Sequence, residues 1–143
     1  MTEKKQVAYR LKLVRGFLDE SRQDVALRRW RSAVDNAQLS VENAAKAVLA
    51  LLGPVGRTHN PATLLRQALD RGAFTNEKSE QVRQLAEQAE LLGPAMHMQT
   101  DYGDEPEGRS PWELFGENDA SRALAIAERA AQLAEEITKG APL

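Results

Sequence analysis

The chain has 143 residues, a formal net charge of −2 and no cysteine, which fits one domain with a sizeable core and excludes disulfides, thiol catalysis and thiolate metal sites. The small net charge provides no general electrostatic attraction to nucleic acid. Because the N-terminal MTEKKQVAYR lacks the apolar region of a signal peptide and no run of about 18 apolar residues follows, we expect a cytoplasmic protein without a membrane anchor.

Two long helices are predicted first along the chain. The first covers Glu3–Ala26, and Gly16 inside it is interpreted as the mark of a close helix contact. The second runs from Trp30 to Gly53, where the glycine fits a helix C-cap. Steps of four and three residues place one apolar stripe along this second helix, formed by Trp30, Val34, Ala37, Val41, Ala44, Val48 and Leu51.

The rest of the chain also favours helices. Pro61–Arg71 and Thr75–Leu92 are predicted as the third and fourth, with residues 95–100 as a ragged extension of the fourth. Residues 101–118 are irregular, and Trp112, Leu114 and Phe115 are expected to pin a single helical turn there to the bundle. A last helix then runs to about Thr138. We therefore predict an all-α protein, an antiparallel four- to five-helix up-and-down bundle in which residues 1–143 form a single domain.

A polar row lies beside the apolar stripe of the second helix. Gln38, Glu42 and Lys46 are spaced four residues apart and share one helix face. Two interpretations are open. Glu42 and Lys46 form an ordinary exposed pair, or the row lines a polar groove that binds a nucleotide or a partner chain.

The loop after the second helix carries the most reactive-looking cluster, Arg57, Thr58 and His59. These side chains precede a helix N-terminus and could hold an anion or a phosphate group. Alternatively, His59 and Asn60 cap the third helix while Arg57 pairs with an acid across the bundle.

Two further stretches have alternative interpretations. His97 and Tyr102, in HMQTDY, are either ligand groups or side chains at a helix end that need no function. Residues 28–31, RRWR, either contact RNA phosphates with Trp30 stacked on a base, or they place Trp30 in the core beside solvated arginines.

Signatures of enzymes are scarce. The sequence has no Glu-x-x-His pair, no phosphate-binding Gly-rich loop that ends in Lys-Ser/Thr and no Gly-x-Ser-x-Gly turn. We therefore predict no catalytic residue, no metal and no cofactor.

With these residues in view, the sequence resembles the HEPN domain family, named for nucleotide binding in higher eukaryotes and prokaryotes. The family's helix motif, Ala-Val-x-x-Ala-Gln-x-x-x-Glu-x-x-x-Lys-Ala, matches residues 33–47, and its Arg-Thr-His loop and Leu-Leu helix match residues 57–59 and 64–65. The segment PWELFGENDASRALAIAERAAQLAEEI also resembles the family's last turn and helix.

The resemblance implies a helical bundle that forms a homodimer. It also implies a small nucleotidyltransferase as partner, in a toxin–antitoxin type of system, and binding of nucleotide or RNA. The ribonuclease members use an Arg-x4–6-His motif. Positions 52–54 before His59 and positions 90–92 before His97 hold no arginine, so a non-catalytic member is expected.

The expected binding residues are Gln38, Glu42, Lys46, Arg57, Thr58, His59 and Tyr102. The alternatives are a HEPN ribonuclease with a degenerate active site and a purely structural helical dimerisation module.

Overall fold

The structure, a computed structural model, describes residues 2–140. Its helices are α1 (Glu3–Ala26), α2 (Trp30–Leu49), α3 (Pro61–Asp70), α4 (Asn76–Leu91), α5 (Pro94–Tyr102), α6 (Pro111–Leu114) and α7 (Glu117–Thr138). Within these residues the only β-type pairing is an isolated bridge between Asp104 and Arg109. The predicted all-α bundle is confirmed, although the described residues form seven helices rather than four or five. Met1 and residues 141–143, which the single-domain prediction includes, lie outside the described residues.

Helix α2 is the centre of the bundle and packs against each of the other six helices. Residues 40–50 are all buried, because the small side chains of this Ala-rich helix let its neighbours approach closely. Helix α7 is antiparallel to α1, since Arg15 pairs with Glu135 and Arg22 with Glu128. No helix in residues 2–140 combines the length and apolarity needed to cross a bilayer.

Two buried serines connect α1 to α2, which follow each other through a three-residue turn. The Ser21 hydroxyl donates to the carbonyl of Ala33, and the Ser40 hydroxyl donates to the carbonyl of Val14, both at 2.8 Å. Both serines are completely buried, so these bonds satisfy hydroxyls that no solvent reaches.

Two predicted helix ends differ from the structure. Helix α2 ends at Leu49 rather than Gly53, because the N–H groups of Leu51 and Leu52 turn to the carbonyls three residues back and tighten the chain out of the helix. Residues 95–100 do not extend α4 but belong to the separate helix α5. Pro94 has no N–H to continue α4, and it begins α5 instead.

Two predicted contacts are wrong. A Cβ atom added to Gly16 would have no atom within 4 Å, so this glycine faces open space and marks no helix contact. Trp112 does not pin α6 to the bundle. Its side chain is 74% exposed, whereas Phe115 is buried and Leu114 packs against the core, so the prediction holds for these two residues.

Candidate functional site

The polar row of α2 lies on one face, as its spacing predicts, but that face is covered. Gln38, Glu42 and Lys46 are all buried, at 1%, 6% and 7% exposure. The Lys46 ammonium lies 3.4 Å from Glu42 Oε2. The interpretation of Glu42 and Lys46 as an exposed pair is therefore wrong, and α2 carries two charged groups that packing has removed from water.

His59 joins this pair from the loop between α2 and α3. Its Nδ1 lies 3.2 Å from Glu42 Oε1, while its ring is 71% exposed. An ionised carboxylate only accepts hydrogen bonds, so Nδ1 donates to Glu42. The carboxylate of Glu42 thus has an ammonium group on one oxygen and an imidazole on the other.

His97 of α5 stacks on His59. The two ring centroids are 5.4 Å apart and the rings are inclined by only 11°. Asp101, one helical turn further along α5, places Oδ2 3.7 Å from His97 Nε2. Sequence reasoning did not connect His97 to His59, although the four-residue spacing of His97 and Asp101 is visible in the sequence.

A second set of hydrogen bonds holds α5 in place. Arg31, in the first turn of α2, donates from Nη1 to the carbonyl of Thr100 at 2.7 Å. The Thr100 hydroxyl lies 3.2 Å from Asp35 Oδ1 and 2.8 Å from the carbonyl of His97. These bonds tie α5 to the beginning of α2 and so position His97 opposite His59.

The capping interpretation of the loop is not supported. Asn60 is the N-cap residue of α3, yet its side chain makes no cap hydrogen bond, and His59 bonds to Glu42 instead. Thr58 Oγ1 accepts from the Asn60 N–H at 3.0 Å. Arg57 is exposed, and no ion pair joins it to another residue in the described range 2–140.

Two of the predicted site residues, Gln38 and Tyr102, make no hydrogen bond to the other predicted residues within residues 2–140. Gln38 Oε1 is buried and has no hydrogen-bond partner in the described part of the chain, and the same is true of His97 Nδ1. Tyr102, at the end of α5, is 58% exposed, and no hydrogen bond joins it to the predicted residues within residues 2–140. The structure therefore brings together Glu42, Lys46 and His59.

The site is an open surface. A groove of about 1260 Å³ runs between α1 and α7, but none of the predicted site residues lines it. Among the described residues, no group of three or more His, Asp or Glu side chains is arranged to hold a metal ion. What the site offers is a fixed imidazole pair above a buried ion pair, with a cation and a hydroxyl on the adjoining loop.

Residues 10–137 match the family described as the HEPN domain. This match covers nearly the whole chain, which therefore belongs to the HEPN domain family. Among solved structures, TT1696 from Thermus thermophilus is similar to it, with a TM-score of 0.67 and 19% identity over 92% of this chain and 98% of that one. At that identity the likeness shows the fold alone. No curated protein matches the sequence.

Proposed function

We propose that this HEPN protein is non-catalytic and binds a nucleotide at Arg57, Thr58 and His59, with the buried Gln38, Glu42 and Lys46 as supporting residues and the exposed Tyr102 as a further contact. One observation carries the proposal. The His59 ring is held by Glu42 at 3.2 Å and backed by His97, yet it is 71% exposed. Its outer face is a pre-oriented aromatic platform of the kind on which a base stacks.

The adjoining loop supports the phosphate end of such a ligand. Arg57 and the Thr58 hydroxyl stand immediately before α3, whose first N–H groups receive no side-chain cap. A helix N-terminus favours an anion through these groups and through the helix dipole. Charge-assisted hydrogen bonds contribute about 1.5–3 kcal/mol each, so Arg57 is expected to matter about tenfold or more for affinity.

Thermal denaturation with ATP, GTP and AMP tests the proposal. Ligand at about a hundred times its Kd adds about 2.7 kcal/mol to the free energy of unfolding, which corresponds to about 5–11 °C in Tm for a chain of this size. Arg57→Ala should weaken binding, whereas Arg71→Ala, an exposed arginine just after α3, should leave it unchanged. The absence of a shift with all three nucleotides would contradict nucleotide binding.

The second part of the proposal is a protein partner, a small nucleotidyltransferase in a toxin–antitoxin type of system. Membership of the HEPN family supports it. If the gene beside the one for this chain encodes such a protein, the two proteins should copurify after coexpression. His59→Ala should then reduce the yield of the complex. A neighbouring gene of another class would remove this part of the proposal.

Ribonuclease activity is a second candidate, favoured by one observation. A carboxylate that bonds one imidazole nitrogen leaves the other free as a base, and Glu42 does this to His59. RNA incubated with the protein in the presence of a chelator should then be cleaved, and His59→Ala should abolish the cleavage. If no RNA is cleaved, or if cleavage survives that substitution, this candidate is excluded.

A further inference from the structure

We propose that the turn between α1 and α2 docks an acidic, partly apolar peptide segment of another protein. The docking surface, called the arginine surface, consists of the exposed Leu27, Arg28 and Arg29, with Arg31 and Trp112 beside them. Within residues 2–140 no ion pair joins any of the three arginines to an acid. Three guanidinium groups in four positions are thus left for acids that the described chain does not supply.

The backbone of Arg28 gives an independent indication that this side chain serves binding. Helix α1 ends in a Schellman motif, in which the N–H of Arg29 donates to the carbonyl of Asp24 at 2.8 Å and the N–H of Arg28 to that of Val25 at 3.1 Å. The motif holds Arg28 at a φ of 60°, a left-handed conformation that glycine adopts freely and that strains residues with a Cβ atom. In the described part of the chain, no other non-glycine residue has a positive φ. Because glycine would fit this turn better, the arginine points to a role beyond the fold.

Two tryptophans order the guanidinium groups. The guanidinium carbon of Arg28 lies 5.4 Å from the centroid of the Trp30 ring, and that of Arg31 lies 5.8 Å from the centroid of Trp112. Trp30 is partly buried and packs against the core, and Trp112 follows the capping box that begins α6. A guanidinium stacked on a ring keeps its N–H groups free at its edge, where they can donate to both oxygens of a carboxylate. The stacking therefore reduces the entropy that is lost when an acid binds.

The arginine surface is apolar as well as basic. Leu27 is 60% exposed directly before Arg28, and Trp112 is 74% exposed beside Arg31. Trp and Arg are the residues enriched in the hot spots of protein interfaces. A peptide that combines carboxylates with apolar side chains can pair with the guanidinium groups and cover both exposed apolar residues, which a purely acidic ligand cannot do.

Nucleic acid fits this surface less well. The segment that leads into α6 carries Asp104, Glu105 and Glu107, which repel a backbone with a charge at every phosphate. A peptide is charged only at some of its residues, so its carboxylates can avoid this segment. The arginines also cover the faces of Trp30 and Trp112 on which a base would stack. The inference does not rest on nucleotide binding, because no residue of the arginine surface belongs to the proposed nucleotide site.

Fluorescence anisotropy with this chain and a short labelled peptide, in which Asp and Glu alternate with Leu, tests the inference. The peptide should bind, whereas the same peptide with Asn and Gln in place of its acids should not. Arg28→Gly and Arg29→Gln should each raise the Kd at least about tenfold, as expected for the loss of a charge-assisted hydrogen bond. The matched control is Arg71→Gln, at an exposed arginine beside the C-terminal end of α2, and it should leave the Kd unchanged.

Arg28→Gly also separates binding from stability. Because glycine relieves the strain of the left-handed backbone, the Tm should stay the same or rise while the peptide is lost. A lower Tm with an unchanged Kd would show that Arg28 serves only to cover Trp30, and would overturn the inference. Absence of peptide binding, or binding that survives both substitutions, would overturn it too. Tighter binding of labelled single-stranded RNA than of the peptide would assign the surface to nucleic acid, and self-association that Arg28→Gly abolishes would assign it to a second copy; either result contradicts the inference.

Discussion

Replacing Lys46 by Met should destabilise the protein strongly, although the two side chains have similar lengths. The substitution removes the ammonium group 3.4 Å from Glu42 Oε2 and leaves a carboxylate that is 6% exposed. Breaking a buried ion pair from one side costs about 3–5 kcal/mol. His59 still donates to the other carboxylate oxygen, so we expect the lower end, about 3 kcal/mol.

Urea denaturation followed by circular dichroism measures this cost as a lower midpoint with an unchanged slope. The corresponding loss in Tm is about 6–12 °C for a chain of this size. The double variant Glu42→Leu/Lys46→Met should return to within about 1 kcal/mol of the wild type or exceed it, because replacing both buried charges by apolar groups removes their desolvation cost. The resulting double-mutant cycle isolates the coupling between the two residues.

The matched control is Arg22→Ala. Arg22 pairs with Asp19 at 3.2 Å and with Glu128 at 3.6 Å, and all three side chains are about half exposed, so the loss should stay below about 1 kcal/mol. If Lys46→Met costs no more than this control, the Glu42–Lys46 pair is not desolvated in the way its burial implies, and the reasoning is refuted.

Three further predictions concern two glycines and one surface acid. Gly16→Ala should stabilise the protein by about 0.5–1 kcal/mol, because the glycine is inside α1 and a Cβ atom there meets nothing; thermal denaturation measures this. Gly103→Ala should destabilise it by more than about 1 kcal/mol, since its φ is +70° and the new Cβ would collide with the Arg109 carbonyl. The hydrogen bond from Arg66 lowers the pKa of Glu90, so its contribution is present above the ordinary carboxyl pKa and is lost as the pH falls through the folded-state value. Glu90→Gln should therefore flatten the acid side of the stability–pH profile, by less than about 1 kcal/mol because both side chains are partly exposed.

Each glycine variant is the control for the other, because both add one methyl group, at Gly16 in open space and at Gly103 against the backbone of Arg109. Equal effects of Gly16→Ala and Gly103→Ala would contradict the structural difference between the two positions. For the acid, wild-type and Glu90→Gln profiles that run parallel down to low pH would show that the pair with Arg66 has no pH-dependent contribution.

Helices could be predicted from the sequence wherever apolar residues recur with a regular period. The bounds of α1 were predicted correctly, because its apolar residues keep a helical spacing from Val7 to Val25. The end of α2 was misplaced, since no residue before Gly53 breaks a helix and the tightening after Leu49 leaves no mark in composition. Trp112 was expected to pin its turn to the bundle together with Leu114 and Phe115, but a four-residue helix has no periodicity that tells which of its side chains face inward.

The candidate site was predictable only within one helix. A four-residue spacing places Glu42 beside Lys46, but it does not say whether other elements cover the pair. The contact between Glu42 and His59 joins residues 17 positions apart, and His97 comes from a helix that was interpreted as a ragged extension. Such contacts depend on how α5 and the loop pack on α2, which local patterns do not encode.

The two buried serine hydroxyls affect how α1 and α2 align along each other in the first helical hairpin. The Val and Leu residues of α1 and the Ala and Val residues of α2 recur from one turn to the next, so apolar burial alone would tolerate a slip by one turn. Ser21 and Ser40 disfavour such a slip. It would separate their hydroxyls from the carbonyls of Ala33 and Val14 and leave both hydroxyls buried without a hydrogen-bond partner. The two hydroxyls therefore fix the register of two helices whose apolar residues would allow more than one alignment.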